Sequence, residues 1–471
     1  MLDMIVAGGR VVLPDAVAEL DIGVADGRIA ALGHDLGPAR ETLDASGRIV
    51  LPGGVDTHCH MDQPPWRGMT TADDFDSATL SALCGGTTTV MPFVMQLRGQ
   101  SLLDCAAEYR RRAARARIDY GFHLIVGDPS PDVLERQLPE LAAAGCTSLK
   151  IYLTYEGLKL DDHEALRVLD AARGLGLMVM VHAENDGCVR WLTERLLVGG
   201  HTAPRFHATA RSALGEREAT HRAVSFAELV EVPILIAHVS SAAVVEELRR
   251  ARARGVAIYA ETCPQYLFLS ADDLAAPGVL GAGCVCTPPP REARDHAAIY
   301  AALLDGTLGL FTSDHSPWRL ADKLADGPGT PFDRIPNGIP GIETRLALLF
   351  SDAVMGGRMS LPEFARCTAS EPARLFGLAG RKGAVAVGMD ADLALWDATR
   401  EVVIGQHMLH HATDYTPYEG RVVRGWPVTT VSRGDIVWHE GSVRAAPGRG
   451  QFLPCARPLT PVSSPQSWLP A

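Results

Sequence analysis

Short apolar runs punctuated by Gly and Asp occupy both ends of the chain, and apolar runs alternating with amphipathic stretches fill the middle. From Met1 to about Leu51, the pieces MIVAGGRVVL, LDIGVADGRIAAL and GRIVLP are separated by turn chemistry such as Asp26-Gly27. From near Lys382, GAVAVGMDADLALWD leads into GRVVRGWPVTTVSRGDIVWHEGSV. Such runs predict antiparallel strands. The two ends, residues 1–51 and 381–455, are expected to pair into one small β domain. The closing LTPVSSPQSWLPA is Pro- and Ser-rich and predicts an extended tail over 456–471.

The middle, residues 52–380, holds eight candidate strands: GGVDTHCH, TTTVMPFV, YGFHLIV, TSLKIYLT, LMVMVHA, PILIAHVS, VAIYAETC and LGLFTSDH. Helical patterns lie between most of them. In SSAAVVEELRRARARG, Ser240 or Ser241 is placed to cap the N-terminus, and Val244, Val245, Leu248 and Ala251 share a face. Gly255 supplies the stop. Eight strands alternating with helices predict an α/β fold, a (β/α)8 barrel with insertions. A doubly wound sheet is the competing arrangement, but no G-x-G-x-x-G turn follows the first strand.

Composition and charge narrow the partners. Of 471 residues, 47% are hydrophobic and 21% charged, which suits a globular protein with a substantial core. The formal net charge is −12, with no basic run, so neither nucleic acid nor an anionic membrane surface is an expected partner. No stretch reaches ~18 unbroken apolar residues, so no membrane span is expected. The N-terminus carries Asp3 in place of a basic region and has no small-residue cleavage site, so it does not read as a secretory signal. Ten scattered Cys with no CxxC pair fit a reducing, cytoplasmic setting.

The chemistry stands at the strand ends. The first strand ends in Asp56-Thr57-His58-Cys59-His60, and residues two apart on a strand share a face, so His58 and His60 can reach one metal. Lys150 lies on the fourth strand, while His182, His238 and Asp314 end the fifth, sixth and eighth. A barrel gathers such ends at one mouth. Lys150 sits in a run that predicts burial, and an ammonium has no lone pair to offer a metal. If its neutral amine adds CO2, the carbamate's two oxygens can bridge two cations ~3.5–4 Å apart. The set then divides: His58, His60 and Asp314 on one metal, His182 and His238 on the other, carboxylated Lys150 across both. Imidazoles with a hard carboxylate suit zinc, with manganese or cobalt as substitutes.

Each residue alone has an ordinary explanation. An H-x-H can be two core histidines, a lone Lys can hold its head in water, and an Asp can cap a helix. The coincidence of all six at strand ends outweighs these readings. His123 has no such partners and is expected to be structural, and Cys59 is expected in the core.

Together PGGVDTHCH, SLKIYLTY, VHAEN, AHVSS and TSDHSP resemble the metal-site segments of the amidohydrolase superfamily, closest to dihydropyrimidinases and D-hydantoinases. ETCPQYLFL, CTPPPR, IPNGIPGIETRL and ATDYTPYEG resemble that family's connecting motifs, so the likeness covers nearly the whole chain. It implies a catalytic barrel, a small β-sandwich from both termini and a homotetramer. It also implies that Tyr155 polarises the scissile carbonyl, and that Thr287, where the family has Ser, and Asn337 bind substrate largely through backbone groups. The loop HMDQPPWRGMTTADDF departs from the family, leaving Trp66, Met61 and Met95 as pocket candidates.

The expected reaction is metal-dependent opening of a cyclic amide, hydantoin or dihydropyrimidine, to an N-carbamoyl amino acid, with Asp314 as base and then acid. Dihydroorotase places Arg where this chain has Asp62, which argues against it. Allantoinase is the nearer rival, against which Tyr155 and DYTPYEG lean. Relatives that serve as non-enzymatic assembly proteins have lost metal ligands that this chain keeps.

Overall fold

Both ends of the chain build one sheet and the middle closes into a barrel in the computed structural model, which describes residues 1–458. Residues 459–471 of the expected tail lie outside the described residues. The N-terminal strands are β1 (Leu2–Val12), β2 (Val17–Ala25), β3 (Arg28–Gly33), β4 (Ala39–Asp44) and β5 (Ile49–Pro52). The barrel takes β6 (Gly54–Cys59), β7 (Thr87–Met95), β8 (Asp119–Tyr120), β9 (His123–Ile125), β10 (Ser148–Tyr152), β11 (Met178–His182), β12 (Ile234–Ile236), β13 (Ile258–Thr262) and β14 (Leu310–Phe311). The C-terminal strands are β15 (Leu393–Val403), β16 (Val422–Ser432), β17 (Asp435–His439) and β18 (Ser442–Val443).

The terminal strands hydrogen-bond in the order β18-β17-β16-β15-β5-β1-β2-β3, with β4 also on β1. β5 joins the two ends of the chain, pairing its four residues antiparallel with Leu393–Trp396. Not every pair is antiparallel as the sequence predicts. β1 runs parallel to both β4 and β5, its first half on one and Arg10–Val11 on the other, because the chain returns to it by a crossover rather than a hairpin. Met4, Val11, Ile22, Leu393 and Val431 meet in one buried cluster beneath the sheet.

The barrel strands pair parallel in sequence order from β6 to β14. The expected third strand is broken at Gly121-Phe122 into β8 and β9, both paired with β7. A parallel bridge between Cys59 and His315 closes the ring, reinforced by His60 N donating to His315 O at 2.6 Å. The fully buried Arg345 stitches the same seam, donating to Phe311 O at 2.6 Å and Thr87 Oγ1 at 3.1 Å. Two-residue alternation sorts the side chains. Leu149, Ile151, Val179 and Val181 pack outward under the helices, while Tyr152, Met178 and Met180 fill the interior.

The helix expected after Ser241 spans Ala242–Ala253, with Val244, Val245, Leu248 and Ala251 buried. Its cap differs from expectation. Neither serine caps it: Ser240 bonds Glu216, and Asp295 of the helix Ala293–Leu304 accepts from Ala242 N at 2.9 Å. A neighbouring carboxyl takes the place of the local hydroxyl here, aimed at the helix's positive end.

Candidate active site

The six residues expected at the barrel mouth converge. Nε2 of His58 and of His60 approach Asp314 Oδ1 at 3.3 and 3.5 Å, and ligand atoms of all three lie within 4.8 Å of one another. A register irregularity between Asp56 and Cys59 re-aims this strand end. Lys150, only 1% exposed, points its Nζ at His58 Nε2, 2.7 Å away. His182 and His238 stand with ring centroids 4.5 Å apart, and His238 lies 5.2 Å from His58.

Two of the six do not sit on strand ends as predicted. His238 falls two residues beyond β12 and Asp314 three beyond β14. There the backbone turns left-handed, with φ of 37° and 47°, which swings each side chain back toward the mouth. Such strain persists where the surroundings over-determine it, as in a built site.

Two buried carboxylates missed by sequence reasoning orient the ring. His58 Nδ1 faces Glu261, leaving Nε2 and its lone pair toward Lys150. His182 Nε2 bonds Glu184 at 2.8 Å, and Arg211 holds Glu184 at 2.7 Å. This is the outer-carboxylate arrangement that fixes a metal-binding imidazole. Glu184, two residues after His182, and Glu261, in the apolar run VAIYAETC, offered a signal; Arg211 offered none.

The electrostatics favour cation binding. Burial first, then the neighbouring cationic groups, holds His58 and His238 well below the ordinary imidazole pKa. Burial likewise keeps His60 and His182 low against the pull of Asp314 and Glu184. Burial raises Asp314, but His58 and His60 outweigh it and keep the carboxyl below its usual range. Burial draws Lys150 down to about 8 despite Asp314 and Glu261. Neutral imidazoles beside an ionised carboxylate form a donor set that fits a divalent metal. The buried His238 Nδ1, with no protein partner, fits it too.

The amidohydrolase family model matches residues 49–437. The chain is 44% identical over 453 residues to a D-hydantoinase from Rhizobium radiobacter, covering 96% of this chain and 98% of that one. It is 39% identical to a D-hydantoinase from Geobacillus stearothermophilus over 96% of each. The chain belongs to the amidohydrolase family, on its hydantoinase and dihydropyrimidinase branch. A solved D-hydantoinase structure superposes with TM-score 0.95 at 42% identity, covering 98% of this chain and 100% of that chain. A dihydropyrimidinase from Brevibacillus agri gives 0.94 at 37%, with coverage of 97% and 99%.

In this amidohydrolase Tyr155, one of the three expected substrate residues, sits beside the donor His182, and Asn337 reaches its hydroxyl. Tyr155 adopts φ 76°, its ring centroid 5.3 Å from His182 and 5.1 Å from the Arg211 guanidinium. Burial raises its pKa against the opposing Arg211 charge, so the phenol stays protonated. Asn337 Nδ2 donates to the Tyr155 hydroxyl at 3.3 Å, while Asn337 O accepts from Trp318 Nε1 at 3.0 Å. Thr287 Oγ1 lies 3.5 Å from His207 Nε2.

The pocket candidates divide. Trp66, 38% exposed, meets Trp318 edge-on at 6.3 Å, and Met95 packs partly buried against the barrel-interior cluster. Met61 is not in a pocket; it is fully buried in the outer core. Cys59 packs in that core as well, and His123 spends both ring nitrogens on Ser148 Oγ and Thr57 O. No helix among the described residues is long and apolar enough to cross a membrane.

Proposed function

We propose that the protein is a binuclear-metal cyclic amidohydrolase that opens hydantoin or dihydropyrimidine rings to N-carbamoyl amino acids. The observation that carries this reading is Lys150. It is a buried amine aimed into a set of metal donors, with its pKa drawn down to about 8. In its neutral form the nitrogen attacks CO2, an N–C bond forms, a proton leaves, and a carbamate results whose single negative charge is shared by two oxygens. His58, His60 and Asp314 would hold one divalent ion, His182 and His238 the other, and carboxylated Lys150 would join them. Zinc fits this donor set best, with manganese or cobalt as substitutes.

Such a metal pair, when bound, lowers the pKa of a water and polarises a carbonyl. The chain's own groups do the rest. Asp314, kept ionised, takes the proton of the attacking water and delivers it to the departing ring nitrogen. Tyr155 donates its hydroxyl proton toward the carbonyl oxygen as charge develops there, with Asn337 Nδ2 filling an acceptor position on the phenol. Backbone groups of Thr287 and Asn337 read the imide edge and fix which carbonyl faces Tyr155. The proposal extends to a homotetramer, as the family resemblance implies, and to the cytoplasm, where ten free cysteines are at ease.

The test is ring opening of dihydrouracil, 5-phenylhydantoin and allantoin by metal-loaded, bicarbonate-supplied protein beside a chelator-stripped control. Metal-dependent opening of either of the first two supports the reading. Activity on allantoin alone, or no activity with both metals bound, overturns the substrate class.

A further inference from the structure

The chain carries only four lysines among its 44 basic residues, and three of them, Lys150, Lys323 and Lys382, are buried. Lys150 belongs to the mouth and Lys382 to an ion-pair cluster. Lys323 has neither role. It ends the short helix Leu320–Lys323, is 0% exposed, and makes no ion pair among the described residues. Its Nζ donates to Val285 O at 2.8 Å and to Pro336 O at 3.0 Å. Those carbonyls belong to two different segments, one running into Thr287 and the other into Asn337.

We infer that Lys323 is a positioning residue that clamps these two segments together and so sets the spacing of the backbone edge that reads the substrate imide. The inference rests on the proposed function, which gives Thr287 and Asn337 that task. The surrounding bonds point the same way. Gly338 N donates to Val285 O at 3.1 Å, so the two segments meet at the same carbonyl that Lys323 grips. The carbonyls next in line are also held by side chains: Cys286 O accepts from His207 Nε2 at 2.9 Å and Asn337 O from Trp318 Nε1 at 3.0 Å. Gly338 itself adopts φ 125°, and a Cβ there would collide with Ser316, so the turn has little room to shift.

Lysine suits this position better than arginine. A compact amine reaches two carbonyls from one atom, whereas a planar guanidinium needs the space of its fork. Burial draws the Lys323 pKa down to about 7, and a neutral amine still carries two N–H donors, enough for both carbonyls. Both carbonyls accept from the amine, so the buried nitrogen is not left without hydrogen-bond partners.

The test is Lys323→Met, which keeps the volume and leaves both carbonyls without this donor, with Lys323→Gln as the milder variant should the first not fold. Ring-opening kinetics, metal content and hydrogen exchange at the Gly338 amide are read together. The clamp predicts faster exchange at Gly338, KM for the cyclic amide raised about tenfold or more, kcat within about threefold, and unchanged metal content. Unchanged exchange at Gly338, or unchanged KM in a folded, metal-replete variant, overturns it. Failure of the proposed function is distinguishable, because wild-type protein would then open no ring. Lys323 would then lose its role in substrate reading, whatever the exchange at Gly338 shows.

Discussion

Lys150 at the barrel mouth and Lys382 at the junction between barrel and terminal sheet are equally buried and chemically opposite. Lys382 Nζ lies 2.7 Å from Asp119, 2.8 Å from Asp392 and 3.0 Å from Asp390. Burial works against its charge, but those carboxylates overcome it and hold its pKa above the ordinary lysine value. Lys150 meets a histidine and the Phe93 ring, 4.5 Å away, and its pKa falls to about 8. Burial alone does not decide what a lysine does; its neighbours do. One environment makes a permanent cation that ties two parts of the fold together. The other makes an amine available for chemistry.

The widest break in this comparison is expected from Lys150→Ala. It should remove ring opening by about 10³-fold or more, the several kcal/mol that metal-site organisation supplies, while leaving thermal stability near wild type. Lys382→Met should do the reverse. Three buried carboxylates lose their shared cation, at a cost of about 3–5 kcal/mol read by denaturant unfolding, with kcat per folded molecule unchanged. Tyr155→Phe sharpens the mouth's side of the contrast. Losing one donor to the developing oxyanion should lower kcat by about 10²-fold with metal content intact.

The smallest effect concerns a partnered group that is not one of the six expected donors. His410 Nδ1 lies 2.8 Å from Glu343 Oε1, and that bond raises its pKa above 6.5 against partial burial. A raised pKa contributes stability that is fully present below the unfolded value and lost as pH rises through the folded one. The melting-temperature gap between wild type and His410→Gln should therefore be widest near pH 6 and narrow at more alkaline pH.

The sequence was most legible where periodicity and chemistry coincide. Tyr152, Met178 and Met180 face the barrel interior with Lys150 and His182 two residues from them, so apolar alternation and ligand spacing pointed the same way. It was less legible where the chain leaves the ladder. His238 and Asp314 owe their aim to left-handed backbone that no apolar run announces. Arg211 and Lys323 were invisible for another reason. Each acts on a partner far away in sequence, Glu184 and Tyr155 for one, Val285 O and Pro336 O for the other, and one sequence carries no sign of such pairings. The same holds for Asp295, which caps a helix from 53 residues away.

The most direct test of the Lys150 account is carbon-13 NMR of metal-loaded protein equilibrated with labelled bicarbonate. The account predicts one carbamate resonance per chain, present in wild type, absent in Lys150→Ala and retained in Lys382→Met. A fully active, metal-replete wild type without that resonance would contradict it.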